Sequence, residues 1–397
     1  MTEPKPAALQ FAPPASGRVD LLIVAGEHSG DEHAARMVRE LRERHPHVSV
    51  AALGGPQLAA AGAQLLYDLT ASSVVGLVEV LKNYSFFKAL FAETLRWIDA
   101  HRPRVVCFVD YPGFNLRLAR ALRERGLSRR GGGAVRMVYY ISPQIWAWKA
   151  QRRFTMARDL DAMAVIFPFE PKHYADTALQ VEFVGHPFVA PDYTPPVRYD
   201  PDGPVLLLPG SRVQAVRRIF PALLAGFSEF GERDAVVLYP SERIAAELRS
   251  GLSRRSRGGL QRSSGPEDRK ITLQQTGTQT FAASAVLTSS GTMSMHCALA
   301  GIPGAIAYRA NPMTYVLGRM LVQVEYLGIA NLLLDEPMYP EFIQAAATPE
   351  ALAAQLRACV HDPVRHTRTT EQAARLRALL RVPATGTAGE WLARQLA

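Results

Sequence analysis

Short apolar runs alternate with helix-like segments along most of this chain, and this alternation constrains the fold more than any other feature. VDLLIVAG, VSVAALGG, VVCFVDY and VRMVYYIS are apolar almost throughout, and segments with a helical pattern separate them. Strands that are apolar on both faces are typical of parallel sheets covered by helices on each side. The first half therefore predicts a doubly wound α/β domain.

A second series of the same kind follows the Pro-rich segment 189–204, with VLLLPGSR, DAVVLYPSE, AVLTSSGT and GAIAYRA among its fragments. A proline cluster cannot continue a strand or a helix, so we place an interdomain linker there. We predict a disordered tail over 1–19, a first Rossmann-like domain over 20–190 and a second over 201–370. The simplest arrangement of two such domains has a cleft between them.

The amino-acid composition limits where this protein can act and which molecules it can bind. Hydrophobic residues make up 48% of the 397 residues, and no apolar stretch reaches the roughly 20 residues that a membrane-spanning helix requires. The N-terminus lacks the apolar core of a secretory signal, and three widely spaced cysteines fit reduced thiols in a cytosol. The net charge of +9 suggests an anionic partner, which could be nucleic acid, a phosphorylated substrate or an acidic membrane face.

Four polar residues interrupt the passage from the first apolar run into the following helix: Glu27, His28, Ser29 and Asp31. In open parallel sheets, ligands bind beyond the carboxyl ends of strands, near helix N-termini that carry unpaired N–H groups. We therefore predict a ligand-binding loop here. Helix capping by Ser29 or Asp31 is the alternative, although capping does not explain Glu27 and His28.

The run VVCFVDYPGFN places Asp110 directly after five apolar residues and before a Pro-Gly turn that opens the next helix. Partial burial would raise the pKa of this carboxylate and suit it to accept a proton. Asp110 is our candidate for a general base. A turn aspartate that holds loop amides is the alternative.

The segment YYISPQIWAWKAQRR follows another strand and places Trp146 and Trp148 beside Lys149, Arg152 and Arg153. Aromatic faces next to cations suit a sugar ring or an acyl-phosphate head group, and core packing of at least one Trp is the alternative. We assign the segment to substrate binding and not to catalysis.

The second half contains two strand-to-helix loops suited to phosphates. Gly210 lets backbone amides approach an anion, Ser211 follows it, and Arg212 can bind phosphate oxygens with two donors. The SSGT loop, which includes residues 290–292, places hydroxyls and free amides at another helix start. Two such loops suggest a nucleotide diphosphate, and neither contains the G-K-[ST] of a P-loop.

A metal site is poorly supported, because Asp159-x-Asp161 is a short match that arises by chance and no His-rich spacing accompanies it. We predict no metal. The apolar segment 74–98 has two open interpretations. Its aromatic residues fit core contacts of a helix, and equally a helix that dips into a membrane interface or lines an acyl-chain groove.

Ten motifs then occur in one order over residues 20–380: AGEHSGD, VDYPGFN, YYISPQIWAWK, FPFE, FVGHP, LLPGSR, SSGT, AYR, NLL and PEFIQ. Their order and approximate spacing resemble those of lipid-A-disaccharide synthases. The resemblance implies a two-domain GT-B glycosyltransferase, metal-independent and inverting. It would join UDP-2,3-diacylglucosamine to 2,3-diacylglucosamine 1-phosphate in a β-1,6 linkage and release UDP. It also implies that C-terminal helices over 371–397 cross back to the first domain.

The resemblance further implies roles for individual residues, with Asp110 as the base toward the acceptor hydroxyl and Arg212 as the residue that stabilises the diphosphate. The implied donor-binding residues are Gly210, Ser211, Arg212, Ser290, Gly291, Thr292, His296, Asn331, Glu341 and Gln344. The implied acceptor-binding residues are Glu27, His28, Ser29, Asp31, Asn115, Trp146 and Trp148. His296 and Ala215 stand where the family has Glu, so we expect weakened or retuned donor recognition.

Two other functions stay open from the sequence: a related GT-B transferase or sugar-nucleotide epimerase with another donor, and a non-catalytic lipid- or sugar-binding paralogue. We expect acylated glucosamine substrates and an anionic membrane surface as partners, with no nucleic acid and no cofactor. A homodimer is compatible with the sequence. The expected location is the bacterial cytoplasm, peripherally on the inner face of the inner membrane.

Overall fold

The computed structural model describes residues 9–71, 84–257, 269–277, 279–311 and 325–397. The chain divides into two compact units. The first comprises Met1–Pro187 and Val382–Ala397, and the second comprises Phe188–Arg381. None of the helices in the described ranges has the length and apolar character needed to cross a bilayer.

The first unit contains a seven-stranded parallel sheet with the order β3-β2-β1-β4-β5-β6-β7. Its strands are β1 (Leu21–Ala25), β2 (Val50–Gly54), β3 (Gln64–Asp68), β4 (Val105–Val109), β5 (Arg136–Tyr140), β6 (Ala162–Val165) and β7 (Gln180–Phe183). β1 and β4 are neighbours and are buried along their whole length, as apolar runs covered on both faces should be. The order reverses between them, which places a crevice for ligands at their carboxyl ends.

Within the described residues, five α-helices lie between these strands. They are α1 (His28–Arg44), α2 (Pro56–Ala60), α3 (Tyr84–His101), α4 (Pro112–Glu124) and α5 (Arg152–Asp159). α1 and α4 begin almost directly after β1 and β4, and α4 has Pro112 in its first turn, where a missing N–H costs nothing. The short β1–α1 and β4–α4 loops therefore bring Glu27 and Asp110 to the same edge of the sheet.

The second unit repeats the plan with a six-stranded parallel sheet of order β11-β10-β9-β13-β14-β15, beside a two-stranded parallel pair. Its strands are β8 (Val197–Tyr199), β9 (Val205–Leu208), β10 (Ala235–Tyr239), β11 (Ile271–Gln275), β12 (Phe281–Ala283), β13 (Ala285–Thr288), β14 (Gly304–Tyr308) and β15 (Glu341–Ile343). The α-helices in the described part of this unit are α6 (Val213–Phe230), α7 (Glu242–Arg257), α8 (Thr292–Leu299), α9 (Ile329–Leu334), α10 (Pro349–His361) and α11 (Pro363–Leu380). The predicted fold of two Rossmann-like α/β domains is confirmed.

The last helix, α12 (Ala388–Leu396), belongs to the first unit and packs on α1. The Gly389 amide donates to Glu40 at 3.0 Å, and Arg394 binds Glu182 at 2.6 Å. The predicted start of the returning segment at 371 falls instead inside α11, which is a continuous helix of the second unit. The chain returns to the first unit at Val382.

Two other expected boundaries differ in the structure. The predicted linker over 189–204 lies within the second unit, where β8 pairs with β12. The predicted disordered tail is packed over 9–19: the Phe11 amide donates to Glu93 at 2.6 Å, and the Trp97 indole donates to the Ala12 carbonyl at 2.8 Å. α3 supplies both partners, which composition could not reveal. Residues 1–8 lie outside the described part.

The structure describes the apolar segment 74–98 from residue 84 onward, where it forms part of α3. Leu90, Leu95 and Ile98 are buried, and the partly buried Phe87 and Phe91 pack against the first core. The described half of the segment thus makes core contacts. The part that carries Val80 and Leu81 lies outside the described residues.

Candidate active site

The loop after β4 has a strained backbone. Asp110 and Tyr111 have φ angles of 46° and 50°, a left-handed conformation that non-glycine residues adopt only under constraint. The Tyr139 hydroxyl donates to the Asp110 carbonyl at 2.6 Å, and the Asn115 amide donates to the same oxygen at 2.7 Å. These two buried donors hold the loop, which leaves the half-buried Asp110 side chain at the edge of the sheet.

The loops after β1 and β4 pack closely. A Cβ atom on Gly26 would lie 2.2 Å from the Tyr111 ring, so only glycine allows this approach. Burial raises the pKa of Tyr111, and the nearby charge of Glu27 raises it further. Glu27, Asp110 and Tyr111 therefore lie in one small region at the carboxyl ends of two neighbouring strands.

The segment after β5 places its two tryptophans in different environments. Trp146 packs edge-on against Phe169 and Phe167, at centroid distances of 5.4 and 6.4 Å. Trp148 is 37% exposed. Lys149 Nζ lies 4.3 Å and Arg152 Cζ lies 5.1 Å from the centroid of its ring. Trp146 thus belongs to an aromatic cluster, whereas Trp148 presents a surface with two cations.

Glu170 lies beside that aromatic cluster. It is 1% exposed and accepts a hydrogen bond from the Phe167 amide at 3.0 Å. Burial raises the pKa of Glu170 to about 8, and the Phe167 amide only partly offsets this effect. This buried carboxyl is therefore largely protonated at neutral pH.

In the second unit, the loops after β9 and β13 meet. Gly210 has a φ of 107°, and a Cβ atom there would lie 3.2 Å from the Ser289 hydroxyl oxygen. Arg212 and Gly291 are the N-cap residues of α6 and α8, and neither caps its helix with a side chain. Because β9 and β13 are neighbours, the two loops lie side by side. Neither first turn contains an acidic residue, so both helix N-termini suit an anion.

His296 lies in α8, one helical turn past the SSGT loop. It is 7% exposed, with the Phe188 ring centroid at 3.9 Å and the Tyr193 ring stacked at 5.7 Å. The Tyr193 hydroxyl lies 3.2 Å from its Nδ1 atom. Two aromatic rings therefore pack against this imidazole.

Glu341 holds the start of α9. Its carboxylate accepts from the Leu327 amide at 2.9 Å, from the Gly328 amide at 2.9 Å and from the Asn331 side chain at 2.8 Å. Asn331 is fully buried and also exchanges two hydrogen bonds with the backbone of Tyr339. These residues support the loop before α9 and leave little capacity for a ligand.

Gln344 lies in a pocket. Its side chain bonds both the amide and the carbonyl of Ala310, and its φ is 56°. The pocket has a volume of about 470 Å³ and is lined by Arg218, Arg309, Ala310, Asn311, Gln344 and Ala345. Arg309, directly after β14, and Arg218, within α6, make this part of the second unit cationic.

Residues 21–386 match the lipid-A-disaccharide synthetase family. The lipid-A-disaccharide synthase of Geobacter sulfurreducens is 35% identical over 86% of this chain and 88% of that protein. The lipid-A-disaccharide synthase of Nitrosococcus oceani is 32% identical over 86% of this chain and 87% of that protein. This chain belongs to the lipid-A-disaccharide synthetase family.

Solved structures agree with the fold of this synthetase. A UDP-GlcNAc 2-epimerase from Neisseria meningitidis bound to UDP-GlcNAc gives a TM-score of 0.56 at 10% identity, over 95% of this chain and 99% of that chain. The glycotransferase of kitacinnamycin gives 0.54 at 15% identity, over 96% and 100%. At these identities the likeness concerns the fold alone, and it agrees with the predicted GT-B class.

The structure separates the predicted acceptor residues of the synthetase into two groups. Asp31 is buried, and its carboxylate accepts from the amides of Gly55, Gln57 and Leu58 at 2.8, 2.9 and 3.2 Å. It caps α2 and does not face a ligand, because α2 packs on α1. Asn115 is also fully buried, and its side-chain amide donates to the carbonyls of Val24, Val109 and Asp110, so it positions the loop.

Glu27, His28 and Ser29 lie at the start of α1 with partly or fully exposed side chains, and Trp148 is exposed. Ser211, Arg212 and Thr292 are exposed in the second unit, and Ser290 is half-buried. These are the predicted residues that the structure leaves open to a ligand. Whether they bind one stays a prediction.

Sequence reasoning missed the roles of Tyr139 and Glu170. Tyr139 is hidden in an apolar strand, and its hydroxyl gives no local signal. Glu170 belongs to the FPFE motif, and a carboxylate inside an aromatic motif could have indicated a buried acid. The Asp159-x-Asp161 match also has a structural use, since Asp159 binds Arg123 at 2.7 Å and Asp161 accepts from the Met137 amide at 2.8 Å.

Proposed function

We propose that Asp110 and Arg212 carry the two chemical tasks of lipid-A-disaccharide synthesis. Family membership makes this chain a glycosyltransferase that forms the lipid A disaccharide. The reaction joins UDP-2,3-diacylglucosamine to 2,3-diacylglucosamine 1-phosphate. An acceptor hydroxyl attacks the anomeric carbon of the donor, and UDP leaves from the opposite face.

Asp110 is the proposed base, and the strained loop around it carries the proposal. A general base must keep its carboxylate at a fixed position, within hydrogen-bond reach of the hydroxyl that loses its proton. The Tyr139 hydroxyl and the Asn115 amide fix the Asp110 backbone, and the Tyr111 ring packs on Gly26. Strained non-glycine backbone of this kind is concentrated at functional sites.

The diphosphate of UDP is proposed to bind where the Gly210 and Ser289 loops meet. As the bond to the anomeric carbon breaks, negative charge develops on the diphosphate. Two open helix N-termini and the Arg212 guanidinium would stabilise that charge. The proposed reaction assigns this task to these groups, with no metal and no further cofactor.

The donor's nucleoside is proposed to bind without the contact that the family's Glu supplies. The imidazole of His296 is 7% exposed and packs against Phe188 and Tyr193, so little of this side chain is open to a ligand. We therefore propose that donor recognition relies on the diphosphate loops and on the cationic pocket beside Gln344.

The proposed setting follows from the substrates. Both carry acyl chains, so we propose that the protein works at an anionic membrane surface, peripherally on the inner face of the inner membrane. The net charge of +9 supports this location. A homodimer is compatible with this setting, and light scattering would test for it.

The test is UDP release from the donor, measured with and without the acceptor. Asp110→Asn keeps the size of the side chain and removes the base, so kcat should fall by about 10² to 10⁴-fold. Asp99→Asn is the matched control, since Asp99 is an exposed carboxylate that pairs with Arg102 in the same unit. It should leave the rate unchanged.

Three outcomes decide between the functions. Acceptor-dependent UDP release that Asp110→Asn reduces supports the proposal. Near-wild-type turnover by Asp110→Asn would remove Asp110 as the base. A wild-type protein that binds the acceptor and releases no UDP would indicate a different donor or a non-catalytic protein.

A further inference from the structure

We propose that Trp148, Lys149 and Arg152 form the subsite for the 1-phosphate of the acceptor, a phosphate monoester on a sugar. This inference rests on the proposed function and names how the acceptor is recognised. It is separate from the diphosphate loops, which belong to the second unit.

The first observation is the pair of cations on one ring. Lys149 Nζ and Arg152 Cζ lie 4.3 and 5.1 Å from the centroid of the exposed Trp148 ring. An anion that binds beside this ring would be attracted by both positive charges. A phosphate monoester carries a charge near −2 at neutral pH and matches this pair.

The second observation is a contrast with the next residue. Arg153 is bound by the Asp176 carboxylate through Nε at 2.8 Å and Nη2 at 2.6 Å. Within the described ranges, neither Lys149 nor Arg152 makes an ion pair with an acidic side chain. The segment therefore contains one neutralised cation and two that are available to an anionic ligand.

The third observation places the pair near the candidate base. Burial raises the pKa of the Tyr139 hydroxyl well above its usual range, the charge of Asp110 raises it further, and the charge of Arg152 opposes this. Both charges thus act on the same hydroxyl. Tyr139 itself donates to the Asp110 carbonyl at 2.6 Å. The segment that carries Arg152 follows β5, the neighbour of β4, so a sugar phosphate held by Arg152 would lie at the same edge of the sheet as Asp110.

The fourth observation is backbone strain. Seven non-glycine residues of the described chain have positive φ, and four of them lie in the loops after β4 and β5: Asp110, Tyr111, Ile141 and Lys149. Lys149 has a φ of 55°. Strain that recurs in two neighbouring loops is expected where side chains are held for a ligand.

The experiment compares two acceptors, 2,3-diacylglucosamine 1-phosphate and the same sugar without its phosphate, in detergent micelles. The variants are Lys149→Gln with Arg152→Gln, and Arg153→Gln as the matched control. For the double variant, kcat/KM with the phosphorylated acceptor should fall by at least about tenfold. The unphosphorylated acceptor should lose less than about threefold, and the KM for the donor should stay the same.

Arg153→Gln should leave the preference for the phosphorylated acceptor unchanged, because Asp176 already neutralises Arg153. An equal loss with both acceptors, or no loss, would overturn the inference while wild-type turnover still supports the proposed function. Sedimentation with phosphatidylglycerol vesicles adds a second readout. A variant that loses vesicle binding and keeps its acceptor preference would assign the segment to membrane contact and also overturn the inference.

Discussion

Glu170→Gln tests whether a buried, protonated carboxyl lies beneath the aromatic cluster of the first unit. The pKa of Glu170 rises from its ordinary value of 4.5 to about 8 because the carboxyl is buried. At pH 7 this carboxyl is ionised in the unfolded chain and mostly protonated in the folded chain. The difference corresponds to about 3 kcal/mol of lost stability at pH 7.

The sign follows from the proton count. The folded state binds the proton more tightly, so the stability contributed by Glu170 is fully present below pH 4.5. It is lost as the pH rises toward 8 and changes little beyond that. Gln cannot ionise, so the variant should lack this part of the pH dependence. It should match the wild type within about 1 kcal/mol at pH 5 and exceed it by about 4 kcal/mol at pH 8.

Urea unfolding followed by tryptophan fluorescence measures this difference. All four tryptophans belong to the first unit, namely Trp97, Trp146, Trp148 and Trp391. The signal therefore reports the unit that contains Glu170. Glu43→Gln is the control, since Glu43 is exposed on α1. A difference between wild type and Glu170→Gln that does not vary with pH would refute the reasoning.

Three further predictions concern single contacts. Asp31→Ala removes the carboxylate that accepts from three amides, so the free energy of unfolding of the first unit, measured in urea, should fall by about 2 to 3 kcal/mol. A loss of activity without this loss of stability would instead assign Asp31 to binding of the acceptor substrate. Gly210→Ala should weaken UDP binding in calorimetry by about tenfold or more, because of its φ of 107° and the nearby Ser289 hydroxyl. Gly277→Ala, with no atom within 4 Å of its added Cβ, is its control and should bind UDP normally. Glu341→Ala should lower the melting temperature of the second unit by several degrees, and equal melting would remove its role at α9.

The fold followed from local patterns. Five-residue apolar strands such as Leu21–Ala25 and Val105–Val109 are buried on both faces, as their composition predicts. The glycines and prolines at 26, 112 and 210 mark the points where strands pass into helices. Each of these signals depends on a residue and its chain neighbours, so a sequence can reveal it.

The packed tail could not be predicted in this way. A Pro- and Ala-rich segment has no local pattern that specifies structure. Phe11 is buried because Glu93 and Trp97, more than 80 positions away, offer partners to the backbone beside it. β3, β6 and β7 of the first sheet were not identified from the sequence. β3 and β7 lie at its edges and are only partly buried over most of their length, and β6 is a buried strand of only four residues.

The sequence by itself determined the two α/β units, the polar loops at the ends of their strands, and the family. The tertiary structure decided which polar residues are exposed at the strand ends and which are used within the fold. Asp31 and Glu27 share one loop, yet Asp31 is taken by the amides of α2, some 24 positions away. Trp146 and Trp148 are two residues apart, yet Trp146 packs against Phe169 and Trp148 lies beside two cationic side chains. Parallel strands bring distant segments together through long crossovers, so each side chain's partner depends on the packing of the whole unit.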